Sequence, residues 1–182
     1  EYVQGDPLKR VNWKLSTKKD KLMVRLDEAV SSVQPMIILD LYRASAEDPH
    51  SAVIKEEKLI RSVFGLLKAL VKQGISCNFA YCGGGNRVII ESVENPDYVD
   101  NLLLKVLSVK VVPGYRLDLN SINSNVCACV IATTDAGGVF SSMTGRFSEN
   151  GNFNILLPYI NDAYSGDAEL WYLDENNDFK QV

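Results

Sequence analysis

Two aspartates close the most apolar short runs of this chain. Asp40 ends Met36-Ile37-Ile38-Leu39, and Asp135 follows Val126–Ala132 after Thr133-Thr134. Short continuous apolar runs read as strands covered on both faces. Ligands of open α/β sheets collect beyond the carboxyl ends of such strands. Two carboxylates converging there could hold a hard cation, which prefers oxygen ligands, or meet a partner. The alternative is that each aspartate caps the turn that follows it.

Other residue types offer less. Gly83-Gly84-Gly85 lacks the Lys-Ser/Thr of a phosphate loop and falls between two expected strands, so it reads as a hairpin turn. His50 and Ser51 adjoin at a helix start, without an orienting carboxylate or a G-x-S-x-G elbow. Cys77, Cys82, Cys127 and Cys129 form no CxxC, and the one histidine lies outside any cysteine cluster, so zinc is not expected. Cys127 and Cys129, two apart in a strand-like run, are expected to face the same way. All four are read as reduced thiols of a reducing compartment.

The positioning elements follow from pattern. Residues 21–27 read as a strand, then 36–40 as a buried one. Asp48-Pro49 opens a helix whose apolar stripe is Val53, Ile60, Val63, Phe64, Leu67, Leu70 and Val71, and Gly74 closes it. Residues 75–81 and 87–92 form a hairpin around the glycines. Asn95-Pro96-Asp97 opens a second helix with the stripe Val99, Leu102, Leu103, Val106 and Leu107. Strands follow at 126–132, 153–157 and 168–173, with a short helix at 138–148. This alternation predicts an α/β fold with a mostly parallel, doubly wound, Rossmann-like sheet.

The chain has 182 residues, with 46 % hydrophobic and 23 % charged, which excludes collagen-like, disordered and disulfide-scaffold classes. The net charge of −4 argues against a general nucleic-acid binder. It is unevenly spread: residues 1–25 carry seven Lys/Arg against three acids, a net +4, and the remainder carries a net −8. Lys9, Arg10, Lys14, Lys18 and Lys19 in that basic extension could face anionic lipid headgroups. They could equally meet an acidic partner or the acidic body. No apolar run is long enough to span a bilayer. The opening Glu1–Asp6 reads like the interior of a longer protein.

The stretch Glu1-Tyr2-Val3-x-Gly5-Asp6-Pro7-x-Lys9-Arg10-Val11-Asn12-Trp13-Lys14-Leu15-Ser16 resembles the signature of the domain of unknown function 58 family, roughly R-E-Y-x-x-G-D-x-x-R-x-I-x-W-K-x-S-A-R. Leu22–Arg25 and Ile37–Leu41 fit the same register. The resemblance implies a signature segment over residues 1–34 and a von Willebrand factor A-like domain over 35–182. It also implies a prokaryotic parent with membrane helices upstream, a place at the cytoplasmic face of the membrane, and a MoxR-type AAA+ ATPase as partner.

Domains of this kind often hold Mg2+ or Mn2+ by a D-x-S-x-S loop after the first strand, with a Thr and an Asp from later loops. Here the loop reads Asp40-Leu41-Tyr42-Arg43-Ala44, so both serines are replaced. Asp135 could match the later aspartate, and the threonine is not placed. The expectation is a degenerate metal site without a resident cofactor. The function expected is non-enzymatic protein docking through Asp40, Tyr42, Arg43 and Asp135. The alternative is a metal-dependent hydrolase or phosphotransferase using Asp40 and Asp135.

Overall fold

A computed structural model describes residue 21 and residues 34–148, 152–160 and 168–182. The signature segment, the basic side chains at positions 9, 10, 14, 18 and 19, and the strand expected over 21–27 (save its first residue) lie outside the described residues. The elements are β1 (Met36–Asp40), α1 (Pro49–Lys72), β2 (Cys77–Gly83), β3 (Arg87–Val93), α2 (Pro96–Leu107), β4 (Ala128–Thr133), α3 (Gly138–Ser148), β5 (Asn152–Leu157), β6 (Glu169–Leu173) and β7 (Phe179–Gln181).

All seven strands form one sheet in the order β3-β2-β1-β4-β5-β6-β7. The five inner strands run parallel, and β3 and β7 pair antiparallel at the two edges. The fold is α/β with a mostly parallel sheet, as expected, and is compatible with a Rossmann-like build. The strand β7 is an addition: its three residues, Phe179-Lys180-Gln181, are too few to show a period, and pairing with β6 alone defines them.

Both faces of β1 are covered, which explains its unbroken apolar sequence. Ile37 and Leu39 join a cluster with Val63, Phe64 and Leu67 of α1 and Val99 and Leu102 of α2. Met36 and Ile38 join the opposite cluster, with Phe140 and Phe147 of α3 and Leu117, Leu119 and Ile122 of the connection before β4. Helices therefore lie on both faces. By the strand's period of two, Asp40 points to the α3 side, with Met36 and Ile38.

The helix ends follow the expected chemistry. Asp48 accepts the Ser51 N–H at 2.9 Å, and Asn95 accepts the Tyr98 N–H at 2.9 Å. Gly74, at φ 77°, closes α1, with Ile75 N–H donating to the Leu70 carbonyl at 3.0 Å and Gly74 N–H to Val71 at 3.1 Å. The stripes need correction at two positions. Val53 and Leu107 are 50 % and 59 % exposed, and the buried face of α1 instead begins with Ala52 and Glu56. Apolar type alone does not say which of two adjacent positions faces the sheet: Ala52 is buried and Val53 beside it is not. Among the described residues, no helix is long and apolar enough to cross a membrane.

The four cysteines are free thiols, but Cys127 and Cys129 do not share a face. Cys127 precedes β4 and is exposed, whereas Cys129 lies within the strand and is buried. Burial pushes the Cys129 thiol up to about 12 and Cys77 up to about 11. Thiolate is the reactive form. A maleimide at neutral pH is therefore expected to modify Cys127 first and half-buried Cys82 more slowly. Cys77 and Cys129 should react only on unfolding. Peptide mass spectrometry that finds Cys129 labelled as fast as Cys127 in the native protein would contradict this packing.

Candidate functional site

The sheet order places a switch point between β1 and β4. The β1–α1 connection leads to β2 on one side, and the β4–α3 connection leads to β5 on the other. A crevice opens where such connections diverge. Asp40 and Thr133 end the two strands and are direct partners in the parallel register. Asp135 lies two residues further, so the two aspartates singled out by sequence do meet.

Asp40 is 2 % exposed. Its Oδ1 accepts the Leu117 N–H at 3.1 Å. Its Oδ2 lies 3.0 Å from Thr133 Oγ1 and 3.7 Å from Arg116 Nε. Thr133 Oγ1 is also 3.0 Å from the Asp135 carbonyl oxygen, so its single proton serves one of two acceptors, and it accepts the Asp135 N–H at 3.3 Å. Burial pushes the Asp40 carboxyl above the usual carboxylate range. Arg116, the Leu117 N–H and the Thr133 hydroxyl pull it back without cancelling the rise.

Arg116 spans both aspartates. Its Nη2 donates to Asp135 Oδ2 at 2.8 Å and to the Asp135 carbonyl at 2.9 Å. The guanidinium carbon stands 4.3 Å from the centroid of the Tyr42 ring and 5.1 Å from that of Phe140, within the range of cation–π attraction. Nη1 is buried and has no acceptor among the described residues. Asp135 stands at the rim with 45 % of its side chain exposed, and its Oδ1 accepts the Gly137 N–H at 3.0 Å. Asp135 thus does cap its own turn while it holds Arg116. Asp40 caps no turn, because its acceptors are taken by distant segments.

The two remaining expected residues divide. Tyr42 lays its ring against Arg116. Arg43 turns away to α1, where it forms a two-pronged pair with Glu56 at 2.8 Å to each carboxylate oxygen. Burial raises the Glu56 carboxyl, and Arg43 opposes that rise. The loops are further tied together. Gly114 N–H donates to the Arg43 carbonyl at 2.7 Å, Thr134 N–H to the Asp40 carbonyl at 3.3 Å, and the Thr134 hydroxyl to the Tyr42 carbonyl.

Sequence reasoning missed Arg116 and left Thr133 unplaced. Arg116 lies in the long irregular connection between α2 and β4, where no period marks an inward position. Its one signal is the alternation Tyr115-Arg116-Leu117-Asp118-Leu119, with Leu117 and Leu119 fully buried.

The residues do not suit a divalent ion. A hard cation would need the aspartate oxygens at roughly 2.0–2.6 Å, and those oxygens already face Arg116 through each Oδ2 and the Leu117 and Gly137 N–H groups through Oδ1. A double charge about 4 Å from a guanidinium is repelled by about 8 kcal/mol at an effective dielectric constant near 20. Where the loop would need two serine hydroxyls, Tyr42 lays its ring on Arg116 and Ala44 has no ligand atom. Among the described residues, no group of three or more His, Cys, Asp or Glu could hold a metal ion. A space on the other side of Asp40 from Asp135, lined by Leu41, Tyr81, Cys82, Val109 and Tyr115 among others, measures about 30 Å³. That admits about one water, far below the roughly 300–1,000 Å³ of ligand pockets.

Fold and site together define an open α/β domain, compatible with a Rossmann-like build, whose switch-point carboxylates are answered by an internal arginine. Comparisons with protein-family models, with curated proteins and with solved structures found no match.

Replacing Asp40 by alanine strips a buried charge pair of one partner and orphans two donors, so a loss of about 3–5 kcal/mol is expected in urea unfolding. Asp40→Asn isolates the titration. The raised carboxyl makes folding take up a proton above the ordinary aspartate range. Wild-type stability should therefore fall, relative to Asp40→Asn, as pH rises above the ordinary aspartate value of about 4. Parallel pH profiles would show that Asp40 titrates alike in both states.

Proposed function

We propose that this chain is a non-enzymatic protein-docking module of von Willebrand factor A-like type. Its docking edge is the carboxyl end of the sheet. The observation that carries this reading is the neutralised switch point: Asp40 is buried against Arg116, Thr133 and the Leu117 N–H, and Asp135 is paired with the same arginine. A hydrolase or phosphotransferase would need free carboxylates around an ion and a water.

The rim of the same edge is suited to contact. Asp135 is half exposed beside Tyr42. Ile54 at the start of α1, and Tyr159 and Ile160 just after β5, are large apolar side chains left in solvent. Ile54 and Tyr159 line one shallow groove, and Thr134, Tyr159 and Ile160 line the next. Apolar patches with charged borders mark interaction surfaces.

The partner we propose is a MoxR-type AAA+ ATPase, on the resemblance of the first forty-one residues to the domain of unknown function 58 family. The same resemblance supports a membrane-tethered parent that holds this domain at the cytoplasmic face.

The test is capture of the source organism's MoxR-type ATPase by the immobilised protein. Tyr159→Ser and Ile160→Ser are expected to weaken capture at least tenfold, with melting temperatures unchanged. Undiminished capture by both variants would remove this edge as the contact. A Mn2+-dependent phosphodiesterase or phosphatase activity that Asp40→Asn abolishes would replace the docking reading with the catalytic one.

A further inference from the structure

We propose that Arg116 is the resident cation of the switch-point site, a tethered guanidinium that stands where a divalent ion would otherwise bridge Asp40 and Asp135. The inference concerns what holds the site together and does not depend on whether its edge docks a partner.

Four observations on different segments agree. First, the guanidinium reaches both carboxylates at once, with Nε 3.7 Å from Asp40 Oδ2 and Nη2 2.8 Å from Asp135 Oδ2. Second, Nη2 also reaches the Asp135 carbonyl at 2.9 Å, and Thr133 Oγ1 lies 3.0 Å from both Asp40 Oδ2 and that carbonyl, so one hydroxyl and one guanidinium tie the two strand ends together. Third, the loop after β1 is chemically matched to a guanidinium rather than to an ion. Tyr42 presents an aromatic face at 4.3 Å, Ala44 presents no ligand, and Phe140 of α3 adds a second ring at 5.1 Å. A planar delocalised cation stacks on such rings, whereas a compact ion gains little from them. Fourth, Arg116 cannot easily swing out of the crevice. Its neighbour Leu117 is fully buried and donates its N–H to Asp40, and Tyr115 on the other side bonds the Asn86 carbonyl at 2.6 Å.

The consequence is a site whose geometry does not vary with divalent-ion supply. A metal-dependent arrangement would loosen when the ion is withdrawn. A guanidinium carried by the chain is present in every folded molecule. Docking through this edge would then be insensitive to chelators.

The experiment is thermal unfolding of the whole chain with and without millimolar Mg2+ or Mn2+ and with EDTA. It is paired with Asp40→Asn, Arg116→Met and the double variant. The wild type is expected to melt at the same temperature in all three media. Arg116→Met should melt roughly 6–15 °C lower. Asp40→Asn in that background should recover at least half of the loss, because it removes the charge that Arg116 answers while keeping the side chain's size and one acceptor oxygen for the Leu117 N–H. A role in packing alone would give additive losses. A wild-type melting temperature that rises with Mn2+ or falls with EDTA would overturn the proposal. So would an Arg116→Met protein as stable as the wild type, or additive losses in the double variant.

Discussion

A carboxylate that is 2 % exposed at the end of a central strand needs donors and positive charge around it, since an unanswered buried charge costs several kcal/mol. Asp40 draws all of them from segments far away in the chain: the Leu117 N–H and Arg116 from the connection before β4, and the Thr133 hydroxyl from the end of β4. Folding must bring these together before β1 can keep its aspartate inside. That requirement specifies which loops lie against one another at the carboxyl edge.

The same contacts explain why the long stretch between α2 and β4 is ordered without being regular. It has a short helical turn at Leu119–Ser121 and otherwise no repeating hydrogen bonds. It fills the α3 side of the core with Leu117, Leu119 and Ile122, and Arg146 of α3 donates to the carbonyls of Asn120 and Ile122 at 3.3 and 2.7 Å. An irregular segment can be buried only if its backbone groups find such partners. Arg116 therefore comes with a scaffold that holds it at both ends.

The functional reading follows from where charge and apolar surface lie. Inside the crevice, Asp40 is buried and both aspartates are paired with Arg116. Outside it, Ile54, Tyr159 and Ile160 remain exposed, the last two lining a groove with Thr134, and Asp135 is half exposed. The docking reading rests on that pairing, since a site for a small substrate keeps a few polar groups free to meet it. Fold alone does not separate the two, because similar sheets carry many activities.

Much of the scaffold was legible in the chain itself. The run Met36–Leu39 could only be a doubly covered strand. Asp48-Pro49 and Asn95-Pro96 announced helix starts through local hydrogen bonding, and the glycines at 83–85 announced the hairpin. These features depend on neighbours within a few residues, so pattern suffices to find them. Asp40 and Asp135 were visible as candidates because strand ends have a known place in such sheets. Sequence could not choose between turn caps and a shared site, because that depends on which strands become neighbours. The register of β1 against β4 decided it by setting Asp40 beside Thr133. The partner of Asp40 was hidden for the same reason. Arg116 is 76 residues away from it in an aperiodic connection. Only the packing of that connection under α3 turns a charged residue of ordinary appearance into the cation between two aspartates.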